Sequence, residues 1–512
     1  MKYAPTDQAF QRYDRHLRIA STVIGESPDI VFRKFVRKSV LLVVNPSVSA
    51  SSNARIMLLG AANLIARFCP RIDIAFSDVY PEFVAETLGL LRQIDTSSHA
   101  EFRVVHRPDY PAYAASLSIG QPVNHHMGQT VIDGVGWLAS VNRSVPSSRD
   151  THNNPFGALL AAALGAAEIF KQLLQPPAGT IAPFGSATVS CFDYSLNGSD
   201  PGPCLPNSIH IPFSMLGGVG AVGNAFLFAL SFLKEVSGDL LVVDSDIVDW
   251  TNLNRYLLAV EADADPKHAV EKTELAVRLF TGRALRVHPY QESLDTLLRR
   301  IHQKEVPRPE VVLSAVDNND ARWAMQSLWP QLIIEGATDR TLSQVSRHEY
   351  GSSFSCLKCI HPKTAGSQNY VEHLSKLSGI RPDVVEWSQQ SAALTLLEEH
   401  ITAGATEEQR TVLRKQIGEP ICSILSELET VSQMPTAELP VQPAASFVSM
   451  IAGLFMAGEF VKRASGLPST LETIYQLDSF FPLQNAFLQG LLKSNTCDCV
   501  IRKNEIRAYR LC

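Results

Sequence analysis

Ser214-Met-Leu-Gly-Gly-Val-Gly-Ala-Val-Gly-Asn224 decides how the rest of this chain is read. It runs as the end of a strand into Gly217, Gly218, Gly220 and Gly223, and then into an apolar helix expected over 225–233. Glycines let a backbone approach a ligand closely, and a helix N-terminus presents unpaired N–H groups, so the stretch predicts a phosphate cradle. By itself such a fingerprint fits many nucleotide sites, and the residues downstream must choose among them.

Downstream, Leu240-Leu-Val-Val-Asp244 reads as a buried strand ending in a carboxylate, placed to accept hydrogen bonds from ribose hydroxyls. The run then continues through Asp246, Asp249, Asn252, Asn254, Arg255 and Tyr256. A dehydrogenase has no chemical need for an Asn and an Arg directly after the ribose carboxylate, whereas a triphosphate needs donors and positive charge there. With Asp244, a short turn and Asn252-Leu-Asn-Arg255, the chain resembles the adenylation domain of ubiquitin-activating enzymes and of the bacterial sulfur-carrier adenylyltransferases.

The resemblance implies several further site residues. A lysine opening the next helix is expected at Lys272, with Lys267 as the rival, to neutralise phosphate charge. Asp317, after the buried strand expected over 311–316, is the implied Mg²⁺ ligand; its plainer reading is a helix N-cap. Cys356-Leu-Lys-Cys359 and Cys497-Asp-Cys499 are the implied zinc pairs, the second with a one-residue spacer where the family has two. Cys422, in Glu419-Pro-Ile-Cys-Ser423, matches the thioester cysteine of the ubiquitin-activating enzymes with Ser423 in place of threonine; a buried structural thiol is the alternative. Arg15, within Arg12-Tyr-Asp-Arg-His16, matches an arginine that reaches the triphosphate from the opposite unit, although taken alone the segment reads as a solvated helix face.

The first half carries a strand over 39–44, a helix over 54–68 and a second strand over 72–76. Where a cradle would follow the first strand, the chain has Asn45-Pro-Ser-Val-Ser49, and proline and valine make a poor phosphate loop. Further strands are expected over 102–105 and 130–132, a close-packing helix over 156–174, and a linker over 188–206. Beyond the cradle half, 331–338 reads as a strand, 368–419 as a charged helical insertion, and 446–459 as an apolar core helix.

Composition limits the alternatives. A net charge of −6 over 512 residues argues against nucleic acid or an anionic membrane as the main partner. The uncharged run 216–233 approaches membrane-spanning length but contains the cradle. Nine cysteines and no export signal point to a reducing, cytoplasmic setting.

The expected fold is therefore α/β, with two Rossmann-like adenylation units in a pseudo-dimer. An inactive unit spans 1–195, an active one 205–367 and 423–512, and the catalytic-cysteine insertion 368–422. The cofactor-binding set is Gly218, Gly220, Gly223, Asp244, Asn252, Arg255, Lys272 and Asp317, and the implied cofactors are ATP, Mg²⁺ and Zn²⁺. The implied activity is adenylation of a ubiquitin-like protein's C-terminus, followed by a thioester on Cys422 and transfer to a carrier enzyme. In this the chain looks like the activating enzyme of a bacterial ubiquitin-like conjugation system serving phage defence. A homodimer is compatible with the sequence. The competing readings are an adenylyltransferase with no thioester step, a dinucleotide oxidoreductase and a silent binding scaffold.

Overall fold

The computed structural model describes residues 8–48, 51–75, 81–122, 129–143, 153–176, 179–362, 374–385, 395–419, 421, 424–425 and 444–511. Contacts divide the chain into two compact units, one made of Met1–Ile360 with Pro443–Cys512 and the other of His361–Gln442.

The larger unit contains two sheets built on one plan. In the first, β1 (Val40–Val44) is central; β2 (Arg71–Ala75) and β3 (Glu101–Val105) lie on one side, and β4 (Ala115–Ile119) and β5 (Gln129–Val135) on the other, all parallel. Antiparallel β6 (Leu138–Val141) and β7 (Ala187–Ser190) complete it, giving the order β3-β2-β1-β4-β5-β6-β7. The second sheet has β9 (Ser214–Gly217) at its centre. Parallel β10 (Val236–Val243) and β11 (Leu285–Tyr290) flank it on one side, β12 (Val311–Ser314) and β13 (Leu332–Asp339) on the other. Antiparallel β14 (Leu342–Glu349), β15 (Ile474–Asp478) and β16 (Phe487–Gln489) follow, while β8 (Ile209–His210) pairs with β10. The strand order is the same in both, and in each the strand nearest the middle of the sheet delivers the loop before the first helix.

Five helices matter to the site: α1 (Gln8–Ile24), α2 (Ser52–Ala66), α3 (Phe156–Leu174), α4 (Ala221–Ser231) and α5 (Lys272–Phe280). Two more follow, α6 (Asn319–Gln326) and α7 (Ser446–Ala464). Helices α3 and α7, both nineteen residues long, pack on each other, α3 also on α2 and α7 also on α4. Their small and apolar residues are almost wholly buried, so one core runs continuously from the first sheet to the second. By length and composition α3 could cross a membrane, but 94% of it is buried inside the protein.

Three sequence expectations change. The linker expected over 188–206 begins inside β7, which pairs with β6 and is buried throughout. The helix expected from residue 225 starts at Ala221, so Gly223 belongs to its first turn. The arginine segment is not a solvated face: Arg12, Tyr13, His16 and Leu17 are buried, and α1 lies against the turn Trp250–Asn252 of the second half. In the smaller unit, Thr406 caps the helix Glu407–Arg414 through a reciprocal box with Gln409, over a core that includes Leu396, Ile401 and Leu413.

Candidate functional site

The cradle is shaped by two glycines for different reasons. Gly218 has φ +89°, and a Cβ there would lie 2.7 Å from the Ala315 carbonyl oxygen at the end of β12. A Cβ at Gly223 would overlap the Gly218 carbonyl oxygen, so this glycine sets how closely α4 sits on the strand. Gly220 is the N-cap of α4 and supplies no side-chain cap. The first turn of α4 therefore keeps its N–H groups for an anion. The first half shows the contrast. There Ser51 caps α2 by accepting from Asn53 N at 3.1 Å, and Val48 packs against Gly120 where the cradle would open.

Asp244 follows β10 and is held by two backbone donors, Val219 N at 2.7 Å and Asp246 N at 3.0 Å. Burial raises its pKa, and Lys272 works in the opposite direction. Lys272 opens α5, as expected, with Nζ 2.7 Å from Asp246 Oδ2 and 3.8 Å from Asp244 Oδ1. Burial alone would lower the lysine pKa; Tyr256, Asp244 and Asp246 outweigh it and raise the value. The long segment before Lys272 does not displace it. Val248 N donates to Val270 O, Lys272 N donates to Asp246 O, and Ile247 bridges Glu271, so residues 249–269 leave and return to one point. Lys267 sits exposed on that excursion, its N–H turned to Asp265.

Asn252 is 4% exposed. Its Oδ1 accepts from Asp249 N at 3.1 Å, while the Asp249 side chain accepts from Thr251 N, which fixes the turn. Arg255 Nη1 donates to Thr251 O at 2.7 Å and to Asn254 Oδ1 at 3.0 Å. Helix α1 presses on this turn from the first half. Arg12 lies over the Trp250 ring at 5.5 Å and pairs with Glu261 and Asp95, and Arg15 stands one helical turn further on, half-buried. From α2, Asn63 and Arg67 reach the Leu253 and Leu257 carbonyls.

Asp317 is exposed past the end of β12. The cap of α6 is Asn318, which accepts from Ala321 N at 2.8 Å, so Asp317 is not used as an N-cap. Arg322 donates to Val316 O at 3.0 Å and so braces the residue before it.

The four thiols of Cys356, Cys359, Cys497 and Cys499 come together, all sulfurs within 4.8 Å of one another. Neighbouring sulfurs are 3.5 to 3.7 Å apart, and Lys358 pairs with Asp498 at 2.9 Å across the two spacers. Cys422 lies outside the described residues. Motif reading passed over Tyr256, Asp246, Arg12, Asn63 and Arg67 as site residues. Only Asp246 had a usable signal, a second carboxylate two residues after Asp244.

A glycine cradle at the end of a central parallel strand, a carboxylate on the next strand and a lysine returning beside it define a nucleotide-binding α/β enzyme fold. The chain belongs to the ThiF family, of the adenylyltransferase superfamily that includes the ubiquitin-activating enzymes; the family model matches residues 214–499. The BilD N-terminal domain model matches residues 39–182. An uncharacterized protein of Sinorhizobium fredii, y4jF, is 24% identical over 515 residues, covering 97% of this chain and 96% of that one. Among solved structures, E. coli MccB with MccA-N7isoASN is similar at 15% identity, 56% of this chain, 67% of that chain and a TM-score of 0.35. E. coli MccB with ATP stands at 14% identity, 57% of this chain, 66% of that chain and a TM-score of 0.35.

Proposed function

We propose that this chain uses MgATP to adenylate the C-terminal carboxylate of a ubiquitin-like protein, and that Cys422 then takes the acyl group as a thioester for a carrier enzyme. The observation that carries the first step is Lys272, returned by the Ile247–Glu271 bridge to within 3.8 Å of Asp244 at the cradle. In this reading Gly218, Gly220 and Gly223 admit the phosphates, Asp244 takes the ribose, and Asn252, Arg255 and Lys272 face the triphosphate. Asp317 takes Mg²⁺, an oxygen ligand for a hard cation. Arg15, one turn from Arg12 on the helix against the Asn252 turn, completes the positive set.

The substrate carboxylate attacks the α-phosphorus and pyrophosphate leaves. Positive groups fixed in place before reaction stabilise the charge that develops. In the second step the Cys422 thiolate attacks the acyl carbon and AMP leaves. The first half is the inactive partner of a pseudo-dimer, a reading supported by the matching strand order and by Val48 in place of a cradle. In this reading the active unit spans 205–367 and 423–512 and the cysteine insertion 368–422, which falls within the compact unit His361–Gln442. Cys356, Cys359, Cys497 and Cys499 suit a structural zinc, because tetrahedral thiolates about 2.3 Å from the metal place sulfurs about 3.8 Å apart. The setting is a bacterial conjugation system in the cytoplasm, in keeping with free thiols at all seven described cysteines.

ATP–pyrophosphate exchange with small proteins encoded beside the gene tests the adenylation, and Cys422→Ala tests the thioester. Exchange that persists while a reductant-sensitive adduct disappears supports both steps. An adduct that survives Cys422→Ala leaves adenylation standing and removes Cys422 as the nucleophile.

A further inference from the structure

Tyr256 sits between Arg255 and Lys272, and its hydroxyl has been given no role so far. It is 3% exposed and packs with Val248, Leu253, Ala264 and Leu275 in a small core beneath the Asn252 turn. Its ring centroid is 5.3 Å from the Arg255 guanidinium carbon and 5.6 Å from Lys272 Nζ, within the range at which an aromatic face holds a cation. One ring therefore seats two cations of the cradle. Its hydroxyl extends toward the cradle itself, 3.8 Å from where a Cβ on Gly220 would stand. Gly220 is the uncapped N-terminus of α4. The hydroxyl is not one of the sealed, partnerless polar atoms of the described residues, so it is open to a ligand in the cradle.

A phenylalanine would fill the same space and present the same ring to both cations. The hydroxyl is thus surplus to packing, and a phosphate oxygen in the cradle would give it a partner. It stands beside Lys272, whose charge it supports, and faces a helix N-terminus that suits an anion. We infer that the Tyr256 hydroxyl donates to a phosphate oxygen of the bound nucleotide at Gly220, while its ring positions Arg255 and Lys272. This rests on the reading that the cradle binds ATP.

The test is calorimetric titration of the full chain with ATP, AMP and adenosine, each with Mg²⁺, for wild type, Tyr256→Phe and Tyr256→Leu. Tyr256→Phe is expected to weaken ATP about tenfold, the loss of one hydrogen bond to a charged group, and to leave adenosine within about twofold. Its ligand-free melting temperature should match wild type, and Tyr256→Leu, which also removes the ring, should lose more. Unchanged ATP affinity in Tyr256→Phe overturns the inference while leaving ATP binding intact. An equal loss for ATP and adenosine also overturns it, because that pattern marks packing. Failure of wild type to bind ATP overturns both this inference and the proposed function.

Discussion

Arg67 Nη1 donates to the Leu253 carbonyl oxygen at 2.8 Å, joining the end of α2 in the first half to the segment that carries Asn252 and Arg255. The same guanidinium reaches the Leu257 carbonyl at 3.3 Å, and Asn63 Nδ2 reaches it at 3.0 Å. Arg67 is fully buried, so these carbonyls have no water to replace it. Arg67→Met is expected to cost about 2 kcal/mol of stability by leaving buried acceptors unpaired. It should also weaken ATP binding, although Arg67 belongs to the half without a cradle. Denaturant melts and an ATP titration measure both effects, and unchanged affinity would separate the first half from the site.

Lys272 stands between Asp246 and Asp244, its ammonium 2.7 Å from the first carboxylate and 3.8 Å from the second. Lys272→Met is expected to lower ATP–pyrophosphate exchange by about 100-fold or more, and Lys272→Arg to recover little of it, since a planar fork does not replace a point charge. An exchange rate within a few-fold of wild type in Lys272→Met would remove this lysine from the chemistry.

His16 accepts from Ser446 N at 3.1 Å at the start of α7. Burial, reinforced by Arg255 and Arg67, lowers its pKa from 6.5 to about 3. A folded-state pKa below the unfolded value means that the fold binds the neutral ring. The associated stability is complete above pH 6.5 and is lost as pH falls toward 3. At pH 5.5 the loss is about 1.4 kcal/mol. Denaturation midpoints at pH 7.5 and 5.5 should therefore separate more for wild type than for His16→Gln, and equal separations would contradict the assignment.

The four-thiol cluster predicts about one zinc per purified chain, lost together with thermal stability on chelation. Cys499→Ser should lower both metal content and melting temperature. Metal-free protein with an unchanged melting temperature would make the cluster a packing feature.

Much of the second half was legible because each chemical residue closes a strand or opens a helix: Gly217 ends β9, Asp244 follows β10 and Lys272 begins α5. Periodicity and chain order are enough to find such residues. The start of α4 was misplaced because Gly223 is a poor helix former, retained where close packing on Gly218 excludes any side chain. Strand β4 escaped because Ser116 and Ser118 interrupt its apolar run, although both are buried, and β7 lies in a stretch rich in turn-forming residues. The choice of Asn318 over Asp317 as cap, and the closure of the 249–269 excursion, depend on hydrogen bonds that spacing does not reveal. Arg67 acts through carbonyls far along the chain, which no motif could mark, while Tyr256 closes the quoted run but its approach to Lys272 and Gly220 depends on the fold.

The decisive titration adds MgATP, and separately NAD, to the full chain and to its Lys272→Met and Asp317→Ala variants. The proposed function predicts saturable MgATP binding that Lys272→Met and Asp317→Ala each weaken, with no heat from NAD. Tight NAD binding, or MgATP binding indifferent to both substitutions, would contradict it.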